Sequence, residues 1–293
     1  INLPAEFDSS KNQRSDKTNL MPVKIELTLK KDCPYLEVVT EINNTVKDHY
    51  FKVCFPTNLD AEKTWAESSF SVTEFPVKPS AKGQFRGNEL ARHPAQMWFD
   101  TSDKKEGLGV LTDATKDYEI LETDDRCTMA MGLVRGTRLR IPCDNRLWME
   151  YPGDESSQSI RSFKYRYALY PHEGIWNECD IFNKALAFCA PMHVCQFGKQ
   201  KGILPIQNSF LEIDGENVVL SAVKKADSSD SVIIRVYNPT NRTIKTDIKP
   251  GFKFSKAFLS GMNEERHQEL KKEKNTIKLQ IPKGKIQTLE ILL

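Results

Sequence analysis

His172 and Glu173 stand side by side in Tyr-Pro-His-Glu-Gly, residues 170–174. An imidazole beside a carboxylate can exchange protons with a substrate at neutral pH. Neighbours on a strand point to opposite faces, however. The pattern therefore reads first as a histidine bonded to a backbone carbonyl at a tight turn. His93 precedes Pro94, which makes its backbone extended, and in HPAQMWFD it reads as buried against Trp98; His49 in Asp-His-Tyr-Phe reads the same way. Cys189 and Cys195 bracket His193, but no fourth ligand follows at metal-binding spacing. Trp148 and Tyr151, in Arg-Leu-Trp-Met-Glu-Tyr-Pro-Gly-Asp, offer flat rings on which a pyranose could stack, with Asp154 and Glu155 as acceptors for its hydroxyls. Large apolar residues in a loop also mark protein interfaces, and that is the stronger reading. No residue of the chain is expected to be a catalytic group or a metal ligand.

The elements that carry these residues read as β. Val23, Ile25, Leu27 and Leu29 alternate with polar residues, predicting a half-buried strand. Strands follow over 36–42 and 50–55, the second closed by Pro56. The β pattern continues through 65–77, 97–99, 107–112, 117–121, 129–134 and 161–170. One helix is expected over 177–188, with Asn177 as its cap and Ile181, Phe182, Ala185 and Leu186 as its apolar stripe. After a Gly- and Pro-containing loop, seven short strands fit between 209 and 292, a spacing that suits a small sandwich. The charge run EERHQELKKEK, 264–274, reads as a solvated loop or single helical turn. Residues 1–20 read as a linker or surface arm, 21–205 as the first domain and 206–293 as the second.

Bulk properties exclude several classes. The 293 residues carry 42 basic and 40 acidic side chains, for a net charge of +2. That balance argues against nucleic acid or an anionic membrane as partner. No apolar run approaches the roughly 20 residues of a membrane span, and no secretory leader is visible. Ile1 in place of Met suggests a processed or excised piece. The seven cysteines are irregularly spaced with no Cys-x-x-Cys pair, so free thiols in a reducing, cytoplasmic setting are expected.

Four strings resemble one family. SFLEIDGENVVLSAVKKADSSDSVIIRVYNPT (209–240) is similar, almost continuously, to the C-terminal region of glycoside hydrolase family 38, the α-mannosidases. YALYPHEGIW (167–176), DHYFKVCFP (48–56) and HPAQMWFD (93–100) agree, in the family's order. The resemblance, to bacterial-type members, spans roughly Met21 to the C-terminus. It implies an all-β fold: a galactose-mutarotase-like supersandwich followed by a small immunoglobulin-like β-sandwich.

The resemblance also implies a division of labour. Family members hydrolyse α-mannosides with retention, which takes two carboxyl groups about 5 Å apart, and they use zinc. Their metal ligands and nucleophile lie on an N-terminal α/β domain with a His-x-Asp pair. No such pair occurs here. The expectation is therefore a chain without a cofactor of its own, supporting and bordering a site whose zinc belongs to a missing catalytic domain. Its partners would be that domain and the α-mannoside, and homo-oligomerisation is compatible with this role. Arg135, ending the strand TMAMGLVRG, is the residue implied to approach the cleft, where its fork could meet sugar hydroxyls or a charged aglycone. Arg135, Trp148 and Tyr151 are thus the substrate-binding candidates. The alternatives are an autonomous carbohydrate-binding module, or a mutarotase-like sugar epimerase using His172.

Overall fold

A computed structural model describes residues 1–78, 92–113, 117–123, 126–138, 140–142, 148–150 and 155–293; for 122, 123, 126, 140–142 and 148–150 it describes the backbone alone. The chain forms two compact units, Ile1–Ala66 with Glu74–Cys179, and Glu67–Thr73 with Asp180–Leu293. The fold is all-β, as expected, with one α-helix among the described residues.

In the first unit a seven-stranded and a four-stranded antiparallel sheet share one core. The alternating strands Leu36–Asn43, Trp98–Ser102, Glu106–Thr112 and Ser162–Glu173 belong to the larger sheet, and His49–Pro56, Asp117–Thr123 and Arg126–Gly136 to the smaller. Rings bridge the two. Phe99 stacks on Tyr118 with centroids 4.3 Å apart, and Phe55 meets Tyr167 edge-on at 5.8 Å. This is the face-to-face arrangement that period-2 patterning produces when one face of each sheet is apolar.

Two features of this unit differ from the sequence pattern. Val23–Thr28 is an edge strand of the larger sheet, and its apolar face is not half-buried: Ile25 is 57% and Leu27 63% exposed. The alternation is real, but no part of the described chain covers that face. Residues 1–20 fold onto the unit rather than trailing from it. Asn2–Pro4 pairs with Thr18–Leu20, Phe7–Asp8 with Gln13–Arg14, and Leu3 packs against the core.

The second unit encloses its own core between a four-stranded and a five-stranded sheet, with Ile248, Ile277 and Ile281 facing Ile234, Leu289 and Ile291. The charge run expected as loop or helical turn instead contains the strand Arg266–Leu270. It pairs with Lys256–Ser260, and the Arg266 guanidinium donates to both oxygens of Glu290 at 2.6 and 2.8 Å. Arg266 holds the Glu290 carboxyl down, to about 2. A salt-bridged edge strand can be charged on its solvent face without losing its ladder. The helix spans Ile181–Cys189 and starts from Asp180, not Asn177. Asn177 lies in a preceding 3-10 turn, Trp176–Glu178.

Candidate functional site

Two clusters gather polar side chains in the first unit. The first is buried. His172 Nε2–H donates to Asp100 Oδ2 at 2.6 Å, and both side chains are almost wholly shielded from solvent. The Ser102 hydroxyl donates to the other Asp100 oxygen at 2.8 Å, and His172 Nδ1–H reaches the Glu173 carbonyl at 3.2 Å. Burial alone would push the His172 pKa down. Asp100 and the Cys179 sulfur outweigh it, and the imidazole rises to about 10. Burial raises the Asp100 carboxyl, while His172 and Ser102 pull it back. The shared proton therefore sits on His172, with Asp100 as its counter-ion. The turn carbonyl expected for His172 is present, but its main partner is Asp100, 72 residues away. Glu173 is exposed, and it meets the ring only through its backbone carbonyl. His172 and Glu173 do not converge, so they cannot act together on an anomeric carbon.

The second cluster is open. At one end of the four-stranded sheet a pocket of about 500 Å³ is lined by Asp48, His49, Tyr50, Arg92, Arg135 and Arg138 with Phe7, Ser9, Gly136 and Thr137. Its geometry comes from a β-bulge. The Arg126–Gly136 strand faces His49–Pro56 with Ala130 opposite Cys54 and Gly132 opposite Lys52, all on the outer face. Strict alternation would next send Val134 outward and Arg135 into the core. The register shifts between Gly132 and Val134 instead, so Val134 pairs with Phe51 and is buried, and Arg135 pairs with Tyr50 and faces out. Bulges commonly re-aim a side chain in this way. The inserted residue is tied down: Leu133 is buried, and its carbonyl accepts the Tyr165 hydroxyl.

Tyr50 forms the pocket's floor. Its hydroxyl donates to Asp117 Oδ2 at 2.9 Å, and burial with that carboxylate raises its pKa. The Lys52 ammonium and the Arg92 guanidinium lie 4.6 and 5.5 Å from the Tyr50 ring centroid. Lys52 also pairs with Glu119. Gly132 is required here, since a Cβ would overlap the Tyr50 hydroxyl and lie 2.5 Å from Asp117 Oδ1. Arg138 is committed to Phe7 O at 2.7 Å, Ser9 Oγ at 3.0 Å and Asp48 Oδ2 at 3.6 Å. Asp48 is further held by Gln158 Nε2 at 2.8 Å and the Phe7 amide at 3.2 Å. The His49 ring nitrogens are closed off from solvent, next to the backbone carbonyls of Lys47 and Val46. Burial, with Arg14 nearby, lowers the ring's pKa, only partly opposed by those carbonyls.

Of the three candidates, Arg135 lies in this pocket. Trp148 is not in a loop; it begins the strand Trp148–Glu150, which pairs with Arg140–Pro142. Its side chain and all of Tyr151 lie outside the described residues. His93 is buried, as expected, and stacks on Phe75 with ring centroids 3.8 Å apart.

Two family profiles match the chain in tandem. Residues 6–138 match the glycosyl hydrolases family 38 C-terminal domain, and 217–289 the glycosyl hydrolases family 38 C-terminal β-sandwich domain. The chain belongs to glycosyl hydrolase family 38. Similar family 38 proteins include one from Halalkalibacterium halodurans assigned by name as a mannosylglycerate hydrolase, 26% identical over 77% of this chain and 24% of its own length. α-Mannosidase 2C1 of Homo sapiens is 21% identical over 72% of this chain and 18% of its own length. An α-mannosidase from Enterococcus faecalis V583 superposes on the whole chain with a TM-score of 0.83 at 19% identity, and the overlap covers 33% of that enzyme. The chain thus spans about a fifth to a quarter of the length of these curated relatives and a third of the solved enzyme. Among the described residues no group of three His, Cys, Asp or Glu side chains is placed to hold a metal ion. The zinc implied by the resemblance therefore does not fit this chain's own described side chains. No described helix is long and apolar enough to cross a membrane.

Proposed function

We propose that this chain is the β-rich C-terminal portion of a retaining, cytoplasmic α-mannosidase, and that it supports and borders an active site held on an N-terminal catalytic domain. In this reading the zinc and the attacking carboxylate belong to that domain. This chain would supply a docking face and one wall of the cleft, with Arg135 at the wall and Trp148 and Tyr151 on its lip.

The observation that carries the reading is uncovered apolar surface. Ile25 and Leu27 on the outer edge strand, and Leu29 just past its end, are 57 to 74% exposed. In the second unit the irregular stretch after the helix exposes Met192, Val194, Phe197, Ile203 and Ile206. Free-standing proteins rarely leave apolar side chains contiguous and unprotected on such a scale, and a bare edge strand invites pairing or aggregation. The relatives are about three to six times as long as the span they share with this chain, which supplies polypeptide for a cover. The six described cysteines are free thiols, in keeping with a reducing compartment.

The test is turnover of an aryl α-mannoside, and of mannosylglycerate, with zinc present. The chain alone should match a heat-denatured control, and the chain in continuity with its upstream polypeptide should be active. Hydrolysis by the isolated chain would sink the proposal.

A further inference from the structure

We propose that the pocket between Tyr50, Arg92 and Arg135 is a binding site for a small oxyanion, a carboxylate or phosphate group carried by the ligand. The proposal rests on the reading that the Arg135 end of the sheet borders the substrate, and adds the ligand's chemical class.

Charge is the first argument. The pocket wall holds Arg92, Arg135 and Arg138 against a single carboxylate, Asp48. Asp48 is already satisfied by Arg138, Gln158 and the Phe7 amide. Two more carboxylates lie close by, Asp117 and Glu119, and each has a partner: the Tyr50 hydroxyl and Lys52. Arg92 and Arg135 remain. Both are exposed, and neither is ion-paired to a carboxylate among the described residues. Two guanidinium forks on one concave wall match the planar, paired oxygens of a carboxylate or the spread oxygens of a phosphate.

Construction is the second argument. Without the bulge Arg135 would point into the core, and the bulge sets it directly opposite Tyr50. Arg92, from the neighbouring Arg92–Pro94 strand, is steadied over the same Tyr50 ring. Gly136 permits close packing behind the pocket, since a Cβ there would lie 2.6 Å from the Gln158 carbonyl oxygen.

The experiment is calorimetry on the whole chain with D-glycerate, inorganic phosphate and, as the uncharged control, glycerol. Glycerate or phosphate should bind at millimolar concentration or tighter, more weakly at high salt, while glycerol gives no heat. The anion that binds better identifies the source: glycerate a carboxylate-bearing ligand, phosphate a phosphorylated one. Arg135→Gln and Arg92→Gln should each weaken binding about tenfold or more, with unchanged thermal melts. Arg135→Lys should recover only part of the loss, and Lys249→Gln, in the second unit, should change nothing. Silence with both anions, equal binding of glycerol, or anion binding indifferent to both arginine substitutions would each overturn the proposal. None of these outcomes requires catalysis. A failure here leaves the α-mannosidase reading standing, and mannoside hydrolysis by the chain alone would remove that reading whatever the anions do.

Discussion

His172 and Asp100 show how a residue's environment decides its role. A buried ion pair is weak evidence for net stability, but removing one partner strands the other charge, typically at about 3–5 kcal/mol. His172→Ala should therefore lower the unfolding free energy of the first unit by roughly that amount, measured by denaturant titration. The pH dependence has a definite sign. The folded His172 pKa is raised above its ordinary 6.5, to about 10. Its contribution is then fully present below pH 6.5 and is lost as pH rises through 10. The denaturation midpoint should fall between pH 7 and 10 in the native chain, and much less in His172→Ala. An equal fall in both would show that other groups control this window. The sequence gives half of this pair. His172 could be read as structural from its strand and turn, but nothing local names Asp100 as its partner. One signal was available: Asp100 is an acid in Trp-Phe-Asp-Thr-Ser, a strand buried along its whole length. A carboxylate there must be neutralised or paired.

At the level of elements, period-2 patterning carries most of the fold. The strands 36–43, 49–56, 106–112 and 162–173 fall where alternation and Pro or Gly punctuation put them, give or take a few residues. What alternation cannot give is a change of phase. The bulge at Leu133 is marked only by Gly132 beside it, a lone strand glycine that hints at a bulge without giving its phase, yet the bulge decides that Arg135 and not Val134 faces solvent. Edge strands are the other blind spot: Val23–Thr28 and Arg266–Leu270 have patterns whose burial depends on what lies across from them. The bulge region gives a direct prediction. Gly132→Val places branched carbons where the Tyr50 hydroxyl and Asp117 sit. It should destabilise the first unit by about 1–3 kcal/mol, the usual range for overpacking, and should weaken anion binding by displacing Tyr50. A variant with wild-type stability and ring environment, checked by near-ultraviolet circular dichroism, would contradict the packing described here.

For the whole molecule, family membership was legible because long strings such as 209–240 carry it, and the all-β class followed from the same residues. The pocket was not legible. Phe7, Asp48, Arg92 and Arg135 come from four separate stretches and meet only through the sheet register and the N-terminal strands. The central claim concerns what covers the bare apolar faces, and hydrogen–deuterium exchange tests it most directly. Amides of 23–29 and 190–206 would be followed in this chain alone and in the same chain joined to its upstream polypeptide. The account predicts that in the isolated chain 190–206 and the amides of 23–29 that do not pair with Leu36–Asn43 exchange rapidly, and that both sets are strongly protected in the longer protein. Identical exchange in the two forms would mean that these faces dock against nothing, and that the chain is not the supporting portion of a larger enzyme.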